Sequence, residues 1–293
     1  MESPGFPSSY NCLISSFLRS ANHSHAPARR RSARAPMALI ALLSLPVFQT
    51  HAAWEGYERM TRETVIQRLK DAGENAPPDF HAKNFSDLDL RGIDFRGANL
   101  SASVFNGARL QKARLDRSNL TVAFLEHADL SGASLRGATL FSVQLAGSKL
   151  RDADLSGARL IGDLHKVDLT NARLTRVDGA ADMKNQSMGL MRTNIVGAVA
   201  QGADLSHADF SRSDLSFSDF SRANFHGTKL LRVDLSGANL TGADLSESDL
   251  RDAELIDADL SHANLTSADF TGANLRGIRG LATANTSGTR GLP

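Results

Sequence analysis

From Phe105 the chain places a leucine at every fifth position, and that interval excludes the ordinary elements. Leu110, Leu115, Leu120 and Leu125 lead on without a gap to Leu160, and the beat returns, as Leu or Phe, from Leu205 to Leu275. Two residues before most beats stands a small side chain, as at Ala108, Ala113, Ala153, Ala203 and Ala243. Between the two is often Asp or Asn, and Ser-Gly, Thr-Gly or Arg-Gly often follows. An α-helix repeats near 3.6 residues and a strand near 2, so a period of five fits neither. If each unit makes one short extended side and one corner, four units close a square coil of about 20 residues. The large residue and the small residue two before it then share the inner face, because alternate residues of an extended side point the same way. Asp, Asn, Ser, Thr and Gly suit the corners and the solvent side. Coils stacked about 4.8 Å apart pair like parallel strands. The expected fold class is all-β, a parallel solenoid in which each coil buries its neighbour's face.

The unit A-(D/N)-L-x-x, as in Ala243-Asp244-Leu245-Ser246-Glu247 and Ala258-Asp259-Leu260-Ser261-His262, resembles the pentapeptide-repeat family. The resemblance covers roughly two thirds of the chain. It implies a right-handed quadrilateral parallel β-helix. Some members of that family bind DNA gyrase, imitate duplex DNA by shape and negative charge, and protect against quinolones. The resemblance speaks to fold more than to function, since one fold hosts many roles.

Residues 1–53 read as a secretory signal that is cleaved. Arg29, Arg30, Arg31 and Arg34 form a basic region, Met37–Leu43 an apolar run, and Thr50-His51-Ala52-Ala53 a small-residue end. The apolar run is too short for a membrane span of about 20 residues. Translation from Met37 would keep that run without its basic part, and a start at Met60 would remove it. Cleavage near Ala53 takes the single cysteine, Cys12, with it, so thiol chemistry, disulfides and cysteine metal sites are excluded from the mature chain. Removing 1–53 leaves 28 basic against 31 acidic residues, a net charge of −3, and no basic footprint for nucleic acid.

Residues 54–79 form an N-terminal helix and linker. Thr61 is placed to cap a helix with Glu63 and Thr64 behind it, Val65, Ile66 and Leu69 give an apolar stripe, and Gly73 can end it. Covering the first coil's unpaired edge is its expected task; an amphipathic partner-binding helix is the other reading. Ala76-Pro77-Pro78 links it to Phe80, where the repeat domain, 80–281, begins. Leu88 and Ile93 are bulky where Ala is usual later, filling the space beneath the helix.

The beat breaks at about 162–189. Leu164, Leu169 and Leu174 fall one residue early, so one residue is lost near Gly162 and regained between Leu174 and Leu190. Val177–Met188 shows no repeat and reads as a bulge or protruding loop. Insertions in repeat proteins map to surface loops and often to binding faces. Asp182, Met183, Lys184, Met188, Met191 and Arg192 are therefore the candidate interaction residues, the methionines forming an adaptable patch. A tolerated kink, with the methionines plugging the coil, remains the alternative. Residues 282–293 read as a flexible tail.

No catalytic, cofactor-binding or metal-binding set emerges. The mature histidines are scattered and none lies one whole coil from another, whereas a metal needs converging ligands. The aspartates follow the repeat, with no cleft to drive their pKa values apart, and no phosphate loop opens a helix. Phe141 and Phe217 are isolated outward aromatics. The sequence thus points to a non-enzymatic, exported (periplasmic or secreted) scaffold with an unidentified protein partner, no cofactor, no nucleic acid and no membrane span in the mature chain. The alternative is a gyrase-binding DNA mimic, from which the near-balanced charge and the signal depart.

Overall fold

The computed structural model describes residues 54, 56–72, 78–182 and 191–292. The expected signal at 1–53, Gly73, and Met183, Lys184 and Met188 of the expected loop lie outside the described residues.

The ladder follows from the five-residue unit. Asp79 pairs in parallel with Asn99, Asn84 with Val104, Asp89 with Arg109 and Asp94 with Arg114, each partner standing four units further on. Four such rungs make one coil and define four faces, numbered here from the first to the fourth in that order. Within a unit the bonding is constant. Arg109 N–H donates to the Leu88 carbonyl (2.9 Å), Leu110 N–H to the Asp129 carbonyl (2.7 Å), and Ala113 N–H closes the corner onto Leu110 (3.0 Å). The corner residue takes a positive φ even where it is not glycine: 57° at Lys112 and Arg117, 56° at Phe217. Left-handed backbone costs such residues about 1 kcal/mol each, which the repeated ladder and core must offset.

The inward residues form one continuous core. Leu110, Leu145, Leu205 and Leu245 are wholly buried, and so are Ala108, Ala203 and Ala253. Where a polar residue takes the small position, its hydroxyl returns to the backbone: Ser103 donates to the Phe80 carbonyl and Thr228 to that of Leu205. A buried hydroxyl without such a partner would be destabilising.

At the N-terminal end, β1 (Glu58–Arg59) pairs in parallel with β2 (Lys83–Asn84). The sequence read this stretch as linker, because so short a strand cannot show a period. Helix α1 spans Arg62–Asp71, with Thr61 and Thr64 bonding reciprocally in a capping box. Val65 is fully buried, Ile66 and Leu69 pack against the core, and Arg62 donates to the carbonyls of Asp89 and Arg91. Beneath lie Phe80, Phe85, Phe95 and Phe105, with Phe85 and Phe105 stacked at 4.5 Å. Trp54 packs on Phe124 of the second face (4.6 Å), and Tyr57 meets Trp54 edge-on. Burial raises the Tyr57 hydroxyl above its ordinary pKa.

The lost residue is at Gly162. Strand β3 (Thr139–Gln144) pairs with β4 (Arg159–Asp163), and the register jumps between Phe141 and Val143, so Ser142 has no partner rung. Phe141 is half-buried there rather than exposed. From Lys149 to Arg159 each rung pairs one position short of a full coil, as Lys149 does with Asp168. From Asp163 to Asp178 the partners lie across the insertion, as Asn194 does for Asp163 and Asp209 for Asp178.

Two expectations need correction. The irregular region is narrower than 162–189: Leu164, Leu169, Leu174 and Val177 are buried in a shifted but intact beat, because one short corner leaves the later sides unaffected. Residues 282–292 are not a loose tail. A 3-10 turn at Leu281–Thr283 leads to Asn285, paired with Asn264, and Arg290, paired with Asp269. The last coil's free N–H groups draw this segment in, Leu265 donating to Asn285 and Phe270 to Arg290.

Candidate interaction surface

The insertion is rooted by a few residues. Asp182 and Met191 form an antiparallel bridge, Asp182 N–H donating to the Met191 carbonyl at 2.9 Å. This bridge lies between Asp178, a rung of the first face, and Asn194, the next rung along the chain and one of the second face. Arg192 is anchored to Asp214 at 3.2 Å. Of the six candidate residues, the structure therefore places Asp182 and Met191 together and Arg192 beside them, on either side of residues 183–190.

Two supporting residues escaped the sequence reading. Gly179 occupies an inward position where leucine is usual, and a Cβ there would lie 2.6 Å from the Phe210 ring. Phe210, one coil on, fills the space. Thr193 is fully buried, its hydroxyl 2.6 Å from the Leu160 carbonyl and 2.7 Å from that of Gly179. Ser213 also donates to Gly179. The only available signal was Thr193 at a small inward position just before the beat resumed at Ile195.

On the faces, polar groups pair along and between coils. Arg91, Arg96 and Arg251 donate to Asp89, Asp94 and Asp249 two residues earlier. Those side-chain hydrogen bonds hold the three carboxyls below the ordinary range, Asp89 the furthest. Asn224, Asn239 and Asn264 donate to Asp204, Asp219 and Asp244 one coil before.

His207 and His226 meet edge-on at 5.2 Å, although counting by whole coils kept them apart. One sits at the corner and the other just before it, so a separation one position short of a coil brings their rings together. His226 Nδ1 lies 2.9 Å from Ser246 Oγ. Among the described residues no three His, Cys, Asp or Glu side chains are grouped to hold a metal ion, and no helix is long and apolar enough to cross a membrane.

Charge divides along the chain. Residues 98–176 carry 11 Lys or Arg and 7 Asp or Glu, a net +4, while 177–267 carry 7 and 14, a net −7. Of the large hydrophobics, Phe217 is 71% exposed and Val199 42% exposed.

The model of the pentapeptide repeats matches residues 84–121, 123–157, 140–178, 190–227, 218–255 and 243–279, more than half of the chain. The chain belongs to the pentapeptide-repeat family. Among solved structures, this pentapeptide-repeat protein is similar to HetL, involved in heterocyst differentiation regulation in the cyanobacterium Nostoc sp., at 26% identity and a TM-score of 0.44, over 78% of this chain and 96% of that one. A pentapeptide repeat protein of the cyanobacterium Cyanothece is 24% identical over 43% of this chain and 88% of its own, with a TM-score of 0.36. QnrB1, a plasmid-mediated fluoroquinolone resistance protein, is 19% identical over 69% of this chain and 90% of its own, with a TM-score of 0.33. No curated protein matches the sequence.

Proposed function

We propose that this pentapeptide-repeat protein is an exported, non-enzymatic scaffold, a right-handed four-sided rod capped by α1, whose outer surface docks a protein partner. The observation that carries this reading is the use made of the polar side chains. Carboxylates, amides and hydroxyls on the faces hydrogen-bond two residues along the chain or one coil along the stack, as where Asp244 accepts from the Ser246 N–H and from Asn264. Groups so engaged stiffen a surface and leave it regular. Export rests on the basic, apolar and small-residue plan of residues 1–53. The segment flanked by Asp182 and Met191 is the docking element, being the place where the sequence departs from its repeat.

Cell fractionation with intact mass of the mature chain tests export: a periplasmic or secreted product beginning near Trp54 is expected. A cytoplasmic product that retains the arginine-rich segment would refute it. Turnover of a substrate by the purified protein, abolished by one surface substitution, would refute the non-enzymatic reading.

One observation favours the gyrase-binding alternative: the excess of acidic residues in 177–267. A DNA mimic needs a strongly negative surface. The basic excess in 98–176 and the export signal argue against it. No effect on gyrase supercoiling in vitro would dispose of it.

A further inference from the structure

The charge division is sharpest on the fourth face. Its rungs run from Asp94 through Arg114, Ser134 and Asp154 to Arg173, then from Asp204 through Asn224, Asp244 and Asn264 to Asn285. Up to Arg176 the outward positions of this face hold six arginines and three aspartates; from Asp204 they hold three acids and no Lys or Arg. Such a face is complementary to itself when turned end for end. We propose that two copies of this chain associate side by side and antiparallel through their fourth faces.

A two-fold axis lying between the copies, midway between the Arg173 and Asp204 rungs, satisfies the charge pattern. An isologous contact must match each residue with its mirror rung. Counting outward from the axis, Arg173 meets Asp204 of the second copy, and Asp154 meets Asn224. The third rungs bring Arg136 against Ser246, between Asp244 and Glu247. The fourth bring Arg114 against Asn264, and the fifth bring Asp94 against Asn285. No Lys or Arg meets another, and no carboxylate meets another, over ten rungs spanning about 45 Å. Like charges set opposite one another would block association, so this register is the permissive one.

Four of the six arginines are free to change partners, while Arg96 and Arg114 are hydrogen-bonded to Asp94. Arg173 lies 3.7 Å from Asp154, and Arg136 lies 3.9 and 3.8 Å from Asp116 and Asp154, all beyond hydrogen-bonding distance. Arg117 and Arg176 make no ion pair with any described residue. The base of the insertion stands between the first and second faces, and Trp54 lies on the second, so neither is rooted on this surface. The inference goes beyond the scaffold reading and does not depend on export.

Sedimentation equilibrium of the full chain tests it. A dimer is expected at about 0.05 M salt and a monomer at about 0.5 M, where screening shortens the reach of charge to a few ångströms. Arg136→Glu and Glu247→Arg should each raise the dimer dissociation constant about tenfold or more. The double variant restores opposite charges across the two-fold and should recover the dimer, which a folding defect would not. A monomer at low salt, self-association indifferent to both reversals, or loss of the dimer on Phe217→Ser instead would overturn the proposal.

Discussion

Gly162 passes so close to the backbone of Val143 that no Cβ fits between them, and its φ is +150°. Here the chain drops one residue from its repeat and still keeps its ladder. Gly162→Ala should therefore destabilise the fold by about 2–4 kcal/mol. Gly157→Ala, at a corner with φ +67° and open space around it, should cost about 1 kcal/mol. Thermal melts followed by circular dichroism compare the two; equal losses would refute a special role for the short corner.

Leu245 is wholly buried, whereas Asp244 beside it points outward and accepts from Ser246 and Asn264. Leu245→Arg should place an unpaired charge within the stack and cost several kcal/mol, of the order of 4. Asp244→Asn keeps an accepting oxygen and should change stability by less than about 0.5 kcal/mol. Equal melting temperatures for the two variants would contradict the inward and outward assignment.

Thr193 is buried with its hydroxyl on the Leu160 and Gly179 carbonyls. Thr193→Val keeps the shape but leaves the Leu160 carbonyl without the hydroxyl, at a cost of about 1–3 kcal/mol. Replacing residues 183–190 by a short Gly-Ser turn should leave the melting temperature nearly unchanged, since Thr193 and Phe210 lie inside the rod. A large loss on that replacement would make the insertion structural.

The depressed carboxyls give stability a pH dependence of known sign. Asp89, Asp94 and Asp249 titrate lower in the folded chain than in the unfolded one. Their contribution is complete above the unfolded value of about 4 and is lost as pH falls through the folded values. The melting temperature should be insensitive to these groups between about pH 5 and 8 and should fall below about pH 4. Asp249→Asn should make that fall shallower, a comparison made by melts across the acid range.

Trp54 is the single tryptophan, and it rests on Phe124 at 4.6 Å. Its fluorescence reports the N-terminal edge alone, while circular dichroism reports the whole ladder. In a solenoid, where each coil meets only its neighbours, the end should open first. The fluorescence midpoint in denaturant is therefore expected below the dichroism midpoint, and coincident midpoints would show one cooperative unit.

The sequence alone determined the repeat, the inward residues and the element at the N-terminus. A side chain such as Leu110 or Ala108 has its direction set by its place within the repeating unit, and Thr61 caps α1 through contacts within a single turn. It also located the lost residue near Gly162, because a phase shift is visible in one dimension. Other features depended on how coils stack. Gly179 makes sense only beside Phe210, the short β1 only beside β2, and segment 282–292 only against the free edge of the last coil. His207 and His226 met because a corner displaces neighbours by one position, which a count in whole coils cannot reveal. The division of charge was written in the sequence but hidden by its near-zero sum. Folding made it a surface, since only stacking assembles residues one coil apart into a single face.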